Sequence, residues 1–341
     1  QILGLCVQHT PAESTKFDDL NSLEDLSRRL HTGECHIGME HTVISACALG
    51  HRPHHAIPVV AFASCKTPNP AQQRIVFETI LGVWEGRFAE NIGPIVLVAS
   101  DGDGVRRRML LEFTSHVTSE VFSGVTLVDN TTSVGGVVQS FDQKHNVKRL
   151  RTRDLSKKGV TISAGALALN RDSYPELFAW YDGTPKETYR TWFNPDDRYN
   201  AGVAVKIQSK QVQVAKADER WLAELAAKPG LATLHPVIAE KLLVVLCDPS
   251  KTVEDLLEGL SCVAHLLFVL FRALRTAGMT GQLYHDLQAT IRGVFYVVMN
   301  VQKHCPATPL FLWQIGTDAL QNLFAVVRTL THASNVDGLE L

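Results

Sequence analysis

The chain has 341 residues, 45% of them hydrophobic and 20% charged, with a formal net charge of −2. That is an ordinary soluble composition, long enough for two domains and a sizeable core. The near-zero charge argues against a free-standing nucleic-acid binder, although a local basic stripe can still serve. Seven cysteines, an odd number without a Cys-x-x-Cys pair, fit reduced thiols inside the cell rather than a disulfide framework. The opening run Ile2 to Val7 is too short for a signal peptide, and the absence of a starting Met is read as truncation with more sequence upstream.

The first 170 residues read as α/β. Phe17 to Leu30 is expected to be a helix, with Leu20, Leu23, Leu26 and Leu30 at helical spacing. Short apolar, partly β-branched runs at His41–Leu49, Ile57–Ala63, Ile95–Ala99 and Gly136–Phe141 predict strands. Gln72 to Trp84 predicts a second helix with Ile75, Val76, Ile80 and Val83 on one side, and Val105 to Ser115 a third. Tyr174-Pro175, Asp182-Gly183, Thr184-Pro185 and Asn194-Pro195 are breaker signals and place a boundary in 171–200.

From about Lys210 the helical signal dominates. Thr252 can cap a helix that carries Glu254 and Asp255 in its first turn and Leu256, Leu260, Val263, Leu267, Leu270 and Leu274 along one stripe. Leu283, Leu287, Ile291, Val294, Phe295 and Val298 form the stripe of the next helix, and Thr317 begins the last, with Leu320, Leu323, Phe324, Val327 and Leu330 inward. The apolar run His265 to Phe271 falls far below the ~20 residues of a membrane span, so no membrane is expected.

Three segments are candidates for chemistry. In Ile95 to Gly104 a buried strand ends at Ser100-Asp101-Gly102-Asp103-Gly104, ahead of Arg106-Arg107-Arg108. Ligands of open α/β sheets bind at that edge, two glycines let the backbone turn sharply, and Asp101 and Asp103 supply oxygen ligands that suit Mg²⁺ or Mn²⁺. The plainer reading is an Asp-Gly turn that caps the following helix. The second segment, Lys144 to Arg153, holds five Lys or Arg and one His in ten residues. Lys144, Lys148 and Arg151 share a helical face that can line a phosphate backbone, against the alternative of a solvated basic helix; the run also resembles a nuclear-localisation signal. Third, His31, His36, His41, His51, His54 and His55 crowd the front beside Cys35, Cys47 and Cys65, but their spacings match no zinc pattern. Cys47, Cys262 and His265 sit in apolar runs and are expected in the core.

Several of these segments, taken together and in order, resemble a group of long proteins of mushroom-forming fungi related to P-element-type transposases. Leu3-Gly4-Leu5-Cys6-Val7-Gln8-His9 is similar to that family's Gly-Val-Cys-Arg-Glu-His. Asp19-Leu20 through Gly33-Glu34, Glu40-His41-Thr42-Val43 and Ser64-Cys65-Lys66 follow its next stretches. Ser100-Asp101-Gly102-Asp103 resembles its Ser-Asp-Gly-Glu, and Asp142-Gln143-Lys144-His145-Asn146-Val147-Lys148-Arg149-Leu150-Arg151 its Asp-x-Lys-His-x-x-Lys-Arg-x-Arg-Asn, with Thr152 in place of the last Asn. Ala264-His265-Leu266-Leu267 and Gly316-Thr317-Asp318-Ala319-Leu320-Gln321-Asn322-Leu323-Phe324 match its later motifs, with Ala325 replacing a Gly.

The resemblance implies an α/β, RNase H-like core over 1–170, a large all-helical insertion over 171–310 and a final core helix over 311–341. Such cores hold two divalent metals, about 4 Å apart, with three acids, for DNA strand cleavage and transfer. Asp101 matches the second acid, assisted by Asp103; the first would precede Gln1; the third is a Glu, where this chain has Gln321. An amide offers one neutral oxygen, so Mg²⁺ or Mn²⁺ binding is expected to be weak or lost and the chain to be a catalytically inactive, transposase-derived DNA-processing protein. Lys144, His145, Lys148, Arg149 and Arg151 are expected to contact nucleic acid or to structure the core. DNA is the expected partner, the nucleus the expected location and a homo-oligomer an open option. The family's guanine-nucleotide site carries over no residue, because no Gly-x-x-x-x-Gly-Lys-Ser/Thr loop is present. Two rivals remain: a non-catalytic scaffold that keeps the fold and binds DNA or protein, and a glycosyltransferase using Asp101 and Asp103 as an Asp-x-Asp pair.

Overall fold

The computed structural model describes residues 4–7, 19–50, 54–65, 69–114, 117–118, 131–132, 136–156, 160–161, 168–197, 200–217, 238, 240–242 and 250–331. Of the residues named above, Gln1, Ile2, Leu3, Gln8, His9, Phe17, His51, Lys66 and Ser115 lie outside these. In chain order the elements are α1 (Leu20–Thr32), β1 (Glu40–Ala46), β2 (Ile57–Ser64), α2 (Pro70–Arg87), α3 (Ala89–Ile92), β3 (Leu97–Ser100), α4 (Gly104–Thr114), β4 (Val117–Thr118), β5 (Thr131–Thr132), β6 (Val138–Phe141), α5 (Gln143–Asp154), β7 (Val160–Thr161), β8 (Ala168–Leu169), α6 (Ser173–Asp182), α7 (Lys186–Arg190), α8 (Ala201–Ala217), α9 (Val253–Leu274), α10 (Gly281–His304) and α11 (Asp318–Thr331). The fold is mixed α/β and mostly helical, with two-stranded sheets among the described residues.

The chain divides into two compact units. The first comprises Gln1–Ile95, Asp103–Phe113 and Thr317–Leu341; the second comprises Val96–Gly102 and Thr114–Gly316. The turn-rich stretch 171–200 therefore runs inside the second unit.

In the first unit β1 and β2 form an antiparallel hairpin whose register shifts between Ile44 and Ser45, where Pro58 enters the pairing. A proline has no N–H to donate, so it suits an interrupted ladder. The stretch before β1 pairs with the start of the chain: Cys6 N–H donates to the His36 carbonyl (2.8 Å) and Gly38 N–H to that of Gly4 (2.7 Å). A Cβ on Gly38 would lie 2.5 Å from that of Ala63, so only glycine fits. Asp19 caps α1 through Ser22 N–H, and Gly33, at φ 76°, ends it. Only Leu26 of the predicted stripe is buried, with Leu30 packed beside it on Leu5 and Cys35; Leu20 and Leu23 are exposed, being beyond the reach of that short partner. In α2 the inward side centres on Phe77, which meets Phe113 edge-on at 5.2 Å, and not on Ile75 or Val83, which are exposed. Apolar residues occur all round α2, so periodicity alone could not choose a face.

In the second unit β3 and β6 pair in parallel, Leu97 opposite Val138 through Ser100 opposite Phe141. α10 lies against β6 and against α9 and α5. It is buried almost all round between Asp286 and Val298, beyond the predicted stripe, because partners cover several sides. Gly293 permits this approach: a Cβ there would sit 3.1 Å from both the Gln139 carbonyl and Leu97 Cδ1. α9 starts with the predicted cap, Thr252 Oγ1 accepting from Asp255 N–H while the Asp255 carboxylate accepts from Thr252 N–H. Leu256, Leu260, Val263, Leu267 and Leu270 are buried, each contributing about 2 kcal/mol of apolar burial.

His265, in contrast, is exposed, its Nδ1 bonding to the Ser261 carbonyl at 2.7 Å, because it lies off that stripe. Cys47 is exposed too and Cys262 half-buried, so these three are not core residues. The helix around the short apolar run is longer than the run: Val253–Ala273 is long and apolar enough to cross a membrane by length and composition. Its buried stripe includes Leu256, Leu260, Val263, Leu267 and Leu270, and the helix packs on α10. Around α5 and α8, Leu155, Tyr174, Phe178, Tyr189, Phe193, Ile207 and Val214 form an apolar cluster. The breakers of 171–200 punctuate the short helices that supply its rings; Gly183, at φ 72°, ends α6.

Candidate functional site

The carboxyl ends of β3 and β6 lie side by side in the second unit. β3 ends at Ser100; Asp101 follows, exposed, and then Gly102, buried at φ 77°. That left-handed conformation favours glycine, and Gly102 N–H donates to Ser100 Oγ at 3.3 Å. Asp142 follows β6. Its N–H continues the ladder to the Ser100 carbonyl (2.9 Å). Its carboxylate is almost wholly buried, caps α5 by accepting from His145 N–H (2.8 Å), and faces His145 Nδ1 at 3.2 Å.

Asp103 belongs to the first unit and does different work. Its Oδ1 accepts from Val105 N–H (2.9 Å) and Arg106 N–H (3.2 Å). This is the helix-capping role that an Asp-Gly turn predicts.

The basic segment folds as α5, but its charges do not share one face. Lys144 is exposed, and Lys148, one turn on, is half-buried in the same row as exposed Thr152. Arg149 forms an ion pair with fully buried Asp286 of α10, and its other terminal nitrogen donates to the Gly102 carbonyl at 3.1 Å. Arg151 is fully buried, in the inward row with Val147, Leu150 and Asp154. Its guanidinium donates to the carbonyls of Trp192 (2.6 Å), Asp197 and Asn200 (3.4 Å). Burial pulls its pKa down, with Asp197 and Asp154 opposing. The expectation that Arg151 shares a phosphate-facing surface with Lys144 and Lys148 is thus corrected. The α5 row that carries Arg151 packs inward, against α8 and the turns before it, and a buried arginine persists there because carbonyls accept from both its terminal nitrogens.

Gln321 lies in the first turn of α11, half-buried. Its Nε2 donates to Thr317 Oγ1 at 3.1 Å. Asp318 precedes it by three residues, also half-buried. At the front of the chain, His36 bonds to the Gly33 carbonyl and His54 to that of Ala48, both at 3.2 Å. Among the described residues no three His, Cys, Asp or Glu side chains converge closely enough to hold a metal ion.

No family model and no curated protein matches the chain. A solved structure does: the Drosophila P element transposase strand transfer complex, with a TM-score of 0.57 at 12% identity, over 84% of this chain. The chain has a transposase-like fold. It spans 65% of the length of the P element transposase chain.

A transposase fold of this kind raises the question of divalent metal, and the candidate donors among the described residues are mostly committed elsewhere, each within its own unit. Asp103 spends Oδ1 on capping α4. Gln321 is an uncharged amide whose nitrogen is turned to Thr317. Asp142 and Asp286 are buried and committed to His145 and Arg149. Asp101 is exposed, and a single carboxylate does not hold two dications.

Sequence reasoning passed over Asp142, Asp286 and Thr290. Thr290 Oγ1 accepts from Phe141 N–H (3.3 Å) and from Asn146 Nδ2 (3.2 Å), tying α10 to β6 and α5. A signal for Asp286 was available: it stands three residues after Leu283 and one before Leu287, inside the apolar stripe, where an acid must find a partner.

Proposed function

We propose that this chain is a transposase-derived, DNA-binding protein with an RNase H-like core that does not cleave DNA. The observation that carries the reading is the fold shared with the P element transposase, a protein solved in a strand transfer complex. The parallel pair β3/β6 with Asp101 at its carboxyl edge supports an RNase H-like core. The donor chemistry at Asp103 and Gln321 supports loss of the metal pair, and with it of strand transfer. DNA contact is assigned to Lys144, His145 and Lys148, which occupy the accessible side of α5, while Arg149 and Arg151 serve the core. Fungal origin and a nuclear location belong to the same proposal.

The test is a titration of labelled duplex DNA at two salt concentrations, followed by incubation of the complex with Mg²⁺ or Mn²⁺. The expected result is salt-sensitive binding with the strands intact. Metal-dependent nicking, abolished by Asp101→Asn, would replace this reading with that of an active nuclease; absence of DNA binding would leave a protein-binding scaffold.

A further inference from the structure

We propose that Arg149 is the positioning residue for Asp101, and that α10 sets it through Asp286. One guanidinium bridges two elements: one terminal nitrogen pairs with the Asp286 carboxylate, and the other donates to the carbonyl of Gly102 at 3.1 Å, the residue next to Asp101. Asp286 is fully buried, and Arg149 is one-third exposed. A buried carboxylate is held in place by its environment, so the ion pair transmits the position of α10 to the turn.

α10 itself is anchored. Thr290, one turn beyond Asp286, bonds the backbone N–H of Phe141 and the Asn146 amide. Gly293 brings the helix axis close to the Gln139 carbonyl of β6. Arg149 and Asp286 are 137 positions apart in sequence, yet the helix and the strand ends act as one frame. The turn benefits from such a brace because Gly102 sits at positive φ, with its N–H directed back at the Ser100 hydroxyl. Only a planar fork reaches both acceptors at once; a lysine ammonium is a single point charge.

The placement of the Asp101 turn rests on the geometry alone and stands apart from the proposed function. Two variants test it, Arg149→Lys and the apolar pair Arg149→Met with Asp286→Leu. The readouts are amide hydrogen exchange at Gly102 and Asp103, by NMR, and the unfolding midpoint. Lysine keeps the charge opposite Asp286, and the apolar pair removes the buried charge altogether, a change that is often neutral for stability. In both, exchange at Gly102 is expected to rise at least about tenfold while the amides of β6 keep their protection. A purely structural role for Arg149 predicts the opposite: native exchange at Gly102 in whichever variant keeps its unfolding midpoint, and that result overturns the proposal. Loss of DNA binding, or its persistence, bears on the proposed function alone.

Discussion

Replacing Arg151 with alanine separates a core residue from a DNA contact. The side chain is fully buried, and its guanidinium donates to the carbonyls of Trp192 and Asp197 at short range and to that of Asn200 at 3.4 Å. Truncation strands at least two well-bonded carbonyls, each charge-assisted bond being worth about 1.5–2 kcal/mol, and also deletes the packed stem, so the cost is about 4 kcal/mol. That is a large share of the stability of an ordinary domain. Urea unfolding of the native and Arg151→Ala chains measures the loss, and duplex binding is then compared per folded molecule below the variant's transition. Destabilisation near that size with unchanged DNA affinity is the expected pair of results. A variant within about 1 kcal/mol of native that loses DNA affinity refutes the burial argument, because surface changes alone fall in that range.

Other consequences follow from single side chains. Lys144→Ala with Lys148→Ala should leave the unfolding midpoint unchanged and lower the slope of log affinity against log salt by about 2, one for each phosphate that is no longer neutralised; an unchanged slope would move the DNA face elsewhere. Asp182 is held below its ordinary pKa: burial pushes it up, but hydrogen bonds from Lys210, Tyr189 and Thr184 outweigh that. A depressed folded pKa makes the stabilisation complete above the ordinary value of 3.8 and lost as pH falls below it. Unfolding curves between pH 6 and pH 2 should therefore show an acid-dependent loss that Asp182→Asn lacks. Gly293→Ala should cost about 1–3 kcal/mol by wedging α10 from β6, and a neutral effect in thermal unfolding would contradict the close packing.

Local elements were legible in the sequence wherever one signal dominated. The Thr252 cap with its leucine stripe and the β-branched run at Ile57 are found where spacing puts them. The α2 face was not legible, since that helix is apolar on several sides and only the tertiary partner Phe113 selects Phe77. Nor could spacing show that α10 covers β6, because the packing joins segments about 150 residues apart, Phe141 to Thr290. At the site, Asp101 could be placed at a strand end from the apolar run before it. The fate of the basic segment could not: Lys144, Lys148, Arg149 and Arg151 look alike as charges, and only the packing of α5 against α8 and α10 sorts them into solvent, brace and core. Asp103 illustrates the converse, as its capping role follows from local chemistry alone.

The proposal that this transposase-like fold holds no metal pair is tested most directly by Mn²⁺ calorimetry on the native chain, with Gln321→Glu as comparator. The account predicts no tight binding by the native chain and a gain in affinity when the carboxylate is restored at position 321. Two tightly bound ions in the native chain would contradict it.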